Sequence, residues 1–417
     1  MTPADPEPAD RPDPVSATST PRADDGGPGA EGALRPTART ERLFTADSPL
    51  TLASGEVIDE VDVAFETYGE LNSTASNAVY ICHALTGDAH AAGHHAGDRK
   101  PGWWDTMIGP GKPIDTDRFF VISSNLLGGC QGTTGPASEN PATGRIWGLD
   151  FPLLQMSDFI TVHRALMHHL GVTRLLGAVG GSLGGMQVLQ WALSYPEDMA
   201  SAVCIAASSR LTAQNIAFSA VARDAITSDP GFSGGHYLEA GTSPDVGLAT
   251  ARMMAHITYL SEEAMDEKFG RRFQDEDARR GFGVDFAVES YLNYQAKSFL
   301  SRFDALSYLY LTRVMDYFDP FADGDVDRLA EVGTRFLVMS FDSDWRFDTS
   351  HSRRIVRALE TARVPVTFRE ISSPWGHDSF LLDVPEYHAM MSAFLDHQAE
   401  ESGIGVPSHA GRDGRLS

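Results

Sequence analysis

The stretch Leu175–Gln187 constrains this chain most. An apolar run, Leu175-Leu176-Gly177-Ala178-Val179, reads as a buried strand. A Gly-x-Ser-x-Gly turn follows at Gly180, Ser182 and Gly184, and Met186 to Tyr195 reads as a helix stopped by Pro196. Gly-x-Ser-x-Gly is common in plain Gly-rich loops. The strand before it and the helix after it mark this copy as a nucleophile elbow. Small neighbours let strand and helix pass closely, and the helix amino end favours charge developing at the serine.

The flanking chain supplies the sheet such an elbow needs. Ala78–Cys82 is a continuous apolar run, as expected of a central strand buried on both faces, and Phe119–Ser124, Ala202–Ala207 and Phe336–Phe341 read as further strands. Leu43 to Tyr68 alternates and suggests two antiparallel strands, with Gly55 at a turn. Phe159 to Leu170, residues 351–361 and Pro385 to Gln398 read as helices, and Val366–Ile371 as a further strand. From Leu211 to Tyr317 the period is helical throughout: Ala213 to Ile226, Pro244 to Leu260, Ala287 to Leu300 and Ser301 to Tyr308. The expected organisation is an α/β fold with a mostly parallel sheet over 43–210 and 320–400. A helical lid is inserted at 211–319. Residues 1–40 carry eight of the 23 prolines and no apolar face, so they read as a disordered tail, with a second flexible tail at 401–417.

Ligands lie beyond the carboxyl ends of strands in such sheets. Ser182, Asp342 or Asp344, and His377 each follow a strand end, in the chain order Ser, Asp, His. A serine hydroxyl needs a base, an imidazole titrates near neutrality, and a carboxylate fixes the imidazole tautomer. The loop after Ala78–Cys82 is where the second oxyanion N–H of an elbow hydrolase arises, which points to Leu85. The first comes from Leu183, next to the serine.

Net charge is −24, from 57 acidic and 33 basic residues, and four of the basic residues are lysines. That balance argues against nucleic acid or an anionic membrane as a partner. It also suits a salt-rich cytoplasm, in which case thermal stability rises between low and molar potassium chloride. No apolar run approaches the roughly 20 residues of a membrane helix, and no secretory leader is visible. Cys82, Cys130 and Cys204 are too scattered for a disulfide framework, consistent with a reducing cytoplasm. His83, His90, His94 and His95 lack companion ligands at metal spacing, so no metal is expected. The Gly-rich loop Asn125–Gly148 lacks the Lys-Ser/Thr of a phosphate cradle.

Six motifs carry a closer resemblance: CHALTGDAH (82–90), GWWDTMIGPGKPIDTDRFFVI (102–122), NLLGGCQGTTGP (125–136), GGSLGGMQ (180–187), SDW (343–345) and GHDSFL (376–381). From Leu43 to Gln398 the chain resembles the homoserine O-acetyltransferase family of the α/β-hydrolase fold. The resemblance implies Ser182 as nucleophile, Asp344 rather than Asp342 as triad acid, and His377 as base. It implies Arg223 for the substrate carboxylate and Asp378 for its ammonium. The reaction implied is ping-pong acetyl transfer from acetyl-CoA to L-homoserine, giving O-acetyl-L-homoserine for methionine formation. No tightly bound cofactor is implied, and the expected assembly is a homodimer through the lid. Two departures stand out: Leu183 replaces a common methionine, and Arg145-Ile146-Trp147-Gly148 replaces a Pro-Tyr-Gly stretch. The second bears on acyl choice, so succinyl-CoA as donor or L-serine as acceptor stays open. A plain esterase would have no use for a carboxylate and ammonium grip, and an intact triad argues against an inert binding protein.

Overall fold

The computed structural model describes residues 34–274, 281–323 and 326–405. Eight strands form one sheet: β1 (Arg39–Phe44), β2 (Val61–Tyr68), β3 (Ala78–Cys82), β4 (Phe120–Ser124), β5 (Leu175–Gly181), β6 (Met199–Ile205), β7 (Arg335–Phe341) and β8 (Val366–Ile371). Their spatial order is β1-β2-β4-β3-β5-β6-β7-β8. β2 runs antiparallel to both neighbours, and every pair from β4 to β8 is parallel. Gly55 (φ +86°) turns a two-residue hairpin, Leu50–Thr51 against Val57–Ile58, and lies between β1 and β2.

The period-2 rule explains the two cores. Ala78, Tyr80 and Cys82 of β3 face one side with α1 (Met156–His169), α2 (Leu183–Ser194) and α8 (Thr349–Thr361). Val79 and Ile81 face the other, with Tyr387, Met391 and Leu395 of α9 (Pro385–Glu401). With helices on both faces, the central strands are buried along their whole length, which is why they read as unbroken apolar runs.

Between β6 and β7 the described residues are mostly helical: α3 (Ala213–Ser228), α4 (Asp245–Tyr259), α5 (Glu262–Lys268), α6 (Ala287–Leu300) and α7 (Ala305–Tyr317), with short helices beside them. Ser301 to Tyr308 is not one helix. α6 ends at Leu300, and Asp304 starts α7 by accepting the Ser307 N–H at 2.8 Å, an N-cap. β1 begins at Arg39, two residues inside the expected tail, because β2 offers it an edge. Residues 1–33 and 406–417 of the two expected tails lie outside the described residues. No described helix is long and apolar enough to cross a membrane.

Candidate active site

Ser182 lies between β5 and α2 with φ +57° and ψ −123°, a region non-glycine residues rarely occupy. The turn is held by contacts that tolerate no side chain. A Cβ on Gly184 would meet the Cys82 carbonyl oxygen at 2.0 Å, and one on Gly181 would meet the Phe380 ring at 2.4 Å. The Ser182 N–H donates to the Ile205 carbonyl of β6 (2.9 Å), locking the elbow to the sheet. α2 starts three residues before the sequence pattern showed, since glycines at 184 and 185 hide its first turn.

His377 follows β8 in a short helical turn, Gly376–Leu381. Its Nε2 is 2.9 Å from Ser182 Oγ, and its Nδ1 is 2.7 Å from Asp344 Oδ2. Asp344 Oδ1 accepts the backbone N–H groups of Arg346 and Phe347, both at 2.9 Å. An ionised carboxylate is acceptor-only, so Nδ1 carries the proton and the Nε2 lone pair faces the serine hydroxyl. All three side chains are buried. Rings of Phe347, Phe380 and Tyr259 stand 5.2, 5.7 and 6.0 Å from the imidazole, centroid to centroid, and exclude water from it. Asp342, the alternative acid, accepts the Ser373 N–H (3.0 Å) instead.

Leu183 is the first residue of α2, so its N–H has no acceptor within the helix. The Leu85 N–H donates to no protein acceptor among the described residues. Gln187, which the sequence reading passed over, bridges the two segments: Nε2 donates to the carbonyls of His83 (2.9 Å) and Leu183 (3.2 Å). Its Oε1 faces His163 Nε2 at 3.0 Å.

The helical segment closes over the acid and base loops. Trp345 Nε1 donates to Leu260 O (2.9 Å), Arg346 Nη1 to Thr258 Oγ1 (2.8 Å), and Ser261 Oγ to Pro374 O. Asp378 is half-buried beside His377, and desolvation pushes its carboxyl from 3.8 up to about 6, against the pull of His377 and Arg252.

Among the described residues Arg223 makes no hydrogen bond or ion pair with a triad residue. Its Nη2 pairs with Asp316 Oδ2 of α7 at 2.7 Å, and its Nη1 donates to Thr312 Oγ1 at 3.2 Å. The cavity it lines, about 590 Å³ among Leu149, Phe151, Leu309 and Tyr310, contains no triad residue. Asp316 therefore competes with any substrate carboxylate for this guanidinium. Arg252, on α4, is a cation close to Asp378. Its Nη1 is 3.5 Å from Thr86 Oγ1 in the Leu85 loop, its buried Nε has no partner, and its charge acts on Asp378. Among the described residues no carboxylate pairs with it within 4 Å. The sequence signal for it was a single arginine in the apolar Leu248–Ile257 run.

Residues 77–384 match the alpha/beta hydrolase fold family. The homoserine O-succinyltransferase of Magnetococcus marinus is 58% identical over 364 residues, covering 85% of this chain and 92% of that protein. The homoserine O-acetyltransferase of Rhodospirillum rubrum is 54% identical over 362 residues, covering 86% and 93%. Among solved structures, homoserine O-acetyltransferase from Bacillus anthracis superposes with a TM-score of 0.80 at 27% identity, covering 87% of this chain and 98% of that one. Esterase E22 superposes at 0.78 and 29% identity, covering 86% and 100%. The same elbow-centred scaffold, continuous over most of both chains, places this protein in the homoserine O-acyltransferase family of the α/β-hydrolase fold.

Proposed function

We propose that the chain transfers an acyl group from acyl-CoA to the hydroxyl of L-homoserine by a ping-pong route through an acyl-serine. The observation that carries this is the Asp344–His377–Ser182 chain of contacts, 2.7 and 2.9 Å, buried under the helical segment. His377 Nε2 takes the Ser182 proton as Oγ attacks the thioester carbonyl. The N–H groups of Leu85 and Leu183 hold the oxyanion, the carbon–sulfur bond breaks, and His377 returns the proton to the CoA thiolate. Homoserine then enters with its carboxylate on Arg252 and its ammonium at Asp378. His377 deprotonates its hydroxyl, which takes the acyl group as the acyl–Oγ bond breaks, and the proton passes from His377 to Ser182 Oγ.

The helices of 211–319 act here as a lid. Water is in vast excess over any alcohol, so a covered approach favours transfer over hydrolysis. An acetyl donor is the primary reading, giving O-acetyl-L-homoserine on the route to methionine. A succinyl donor has an observation of its own. The Arg346 guanidinium is buried next to the triad acid, engages Thr258 and the Tyr259 ring, and has no carboxylate partner among the described residues. A second cation without a carboxylate partner, beyond Arg252, fits a donor whose acyl chain carries a carboxylate. A cytoplasmic location and a homodimer paired through the lid belong to the same reading, supported by the family resemblance. No tightly bound cofactor is required, since acyl-CoA arrives as a substrate.

Thiol release from acetyl-CoA and from succinyl-CoA, each with homoserine, serine or no acceptor, tests this reading. The expected result is rapid release that needs homoserine. Equal release without any acceptor would make the protein a hydrolase.

A further inference from the structure

The fold assembles a group that the acyl transfer does not use. Glu66 of β2 is buried, with 1% of its side chain exposed. Two histidines from the loop beyond Leu85 converge on it, His90 Nδ1 at 3.1 Å from Oε2 and His95 Nε2 at 2.6 Å from Oε1. The far side of both rings meets a second carboxylate: Asp98 Oδ2 is 3.4 Å from His95 Nδ1 and 3.9 Å from His90 Nε2. The Tyr68 hydroxyl donates to Glu66 Oε2 (2.6 Å) and accepts the N–H groups of Ala91 and Ala92 (2.8 and 3.2 Å).

Two neutral imidazoles carry two N–H groups, yet four ring nitrogens here face carboxylate oxygens. With both N–H groups donated to Glu66, the two far nitrogens turn lone pairs toward Asp98, and His90 Nε2, 3.9 Å from it, is buried with no hydrogen-bond partner. Positive charge between the near nitrogens and Glu66 removes the conflict. Those nitrogens then bind as lone-pair donors, and both far N–H groups turn to Asp98. That is the arrangement of metal-bound histidines, whose second nitrogen donates to a carboxylate or carbonyl.

The geometry points to a divalent metal site formed by Glu66, His90 and His95, with Asp98 and Tyr68 as outer supports. The ligand atoms of the three residues lie within 4.8 Å of one another. Two imidazoles and one carboxylate suit a borderline first-row cation, zinc first among them. The rings stack at 3.9 Å and 29°, so binding requires them to rotate apart until both lone pairs meet one ion. Bound there, the ion ties the 86–95 loop to β2. The same loop carries Asp88, which caps the His90 N–H (3.0 Å) just beyond the oxyanion donor Leu85. The metal's role is to clamp this loop, not to act on the substrate. His83 takes no part, because its ring is already engaged by the Ala84 carbonyl and the Leu126 N–H.

Calorimetric titration of zinc into the chelator-treated full chain, alongside His95→Asn and Glu66→Gln, tests the site. The expected result is one zinc ion per chain and a melting temperature that climbs with zinc. His95→Asn, a half-exposed position, should weaken binding by more than the roughly 10–100-fold typical of outer-shell losses and abolish the zinc-dependent rise. Undiminished binding in both variants overturns the proposal by placing the metal elsewhere. No zinc uptake by the native chain overturns it too, and a melting temperature that instead rises on acidification would show protons supplying the charge.

Discussion

The Gln187 side-chain amide donates to the His83 carbonyl at 2.9 Å and so links the elbow helix to the loop that carries Leu85. Each of these two segments offers one oxyanion N–H, and their separation decides whether both reach the same oxygen. Gln187→Leu removes the link while keeping an apolar volume of similar size. Loss of one oxyanion donor costs about 10²–10³ in kcat. A misplaced donor should cost part of that, so kcat is expected to fall ~10–100-fold with KM nearly unchanged. The His83 carbonyl and His163 Nε2 lose their partner, which also lowers stability by about 1–3 kcal/mol. Steady-state kinetics beside thermal melts separate the two effects. A lower melting temperature with native kcat would reduce Gln187 to a packing residue.

Ser182→Ala removes the only atom that the scheme makes covalent. By analogy with other triads, kcat should fall on the order of 10⁶-fold. Intact-protein mass spectrometry of the native chain with acyl-CoA and no acceptor should show one added acyl group, absent from the variant. Sequential kinetics without that adduct would reject the ping-pong route.

Asp378 predicts a pH dependence of two opposite signs. Its carboxyl is raised from 3.8 to about 6 by burial, so it holds an ammonium only once pH passes that region. Homoserine KM should therefore rise as pH drops below about 6. Stability runs the other way. The folded state keeps this proton where the unfolded chain has lost it, so the group's contribution is full below pH 3.8 and is lost as pH climbs through about 6. A shift of this size corresponds to a cost of about 1–3 kcal/mol at neutral pH. Asp378→Asn should melt higher than the native chain at pH 7–8 and bind homoserine far more weakly. A variant that melts lower at every pH would contradict the assignment.

Most of the fold was written in periodicity. β3 to β7 are predominantly apolar because both faces of the sheet are covered, and the elbow declares itself by glycines that a close strand–helix crossing demands. Asp344 and Asp342 could not be separated by spacing, since both follow β7. Their difference lies in which one the loop's own N–H groups turn toward His377. Arg223 and Arg252 look alike in sequence, each a single arginine in an apolar helical stretch. Only packing reveals that an aspartate on α7 claims one of them. The Glu66 cluster was hidden for a similar reason. Its carboxylate lies 24 and 29 residues before its histidines, and β2 supplies it from across the loop.

The two arginines give the sharpest test, because their substitutions should fail in different ways. Arg252 faces Thr86 and Asp378 with a spare Nε, so Arg252→Met should raise homoserine KM about 10–100-fold, as losing a charged hydrogen-bond partner does, with little change in melting temperature. Arg223 neutralises Asp316, whose side chain is 5% exposed. Arg223→Met leaves that carboxylate buried without its main partner. It should cost about 3–5 kcal/mol of stability, while homoserine KM stays near native in whatever protein remains folded. Because the cost comes from the stranded charge, adding Asp316→Leu to Arg223→Met should recover most of it, since an apolar pair of similar volume replaces an ion pair at little loss. Comparing KM and melting temperature across the four proteins decides the matter. If Arg223→Met raised KM while Arg252→Met did not, the carboxylate grip would belong to Arg223, and its pairing with Asp316 would have to open when substrate binds.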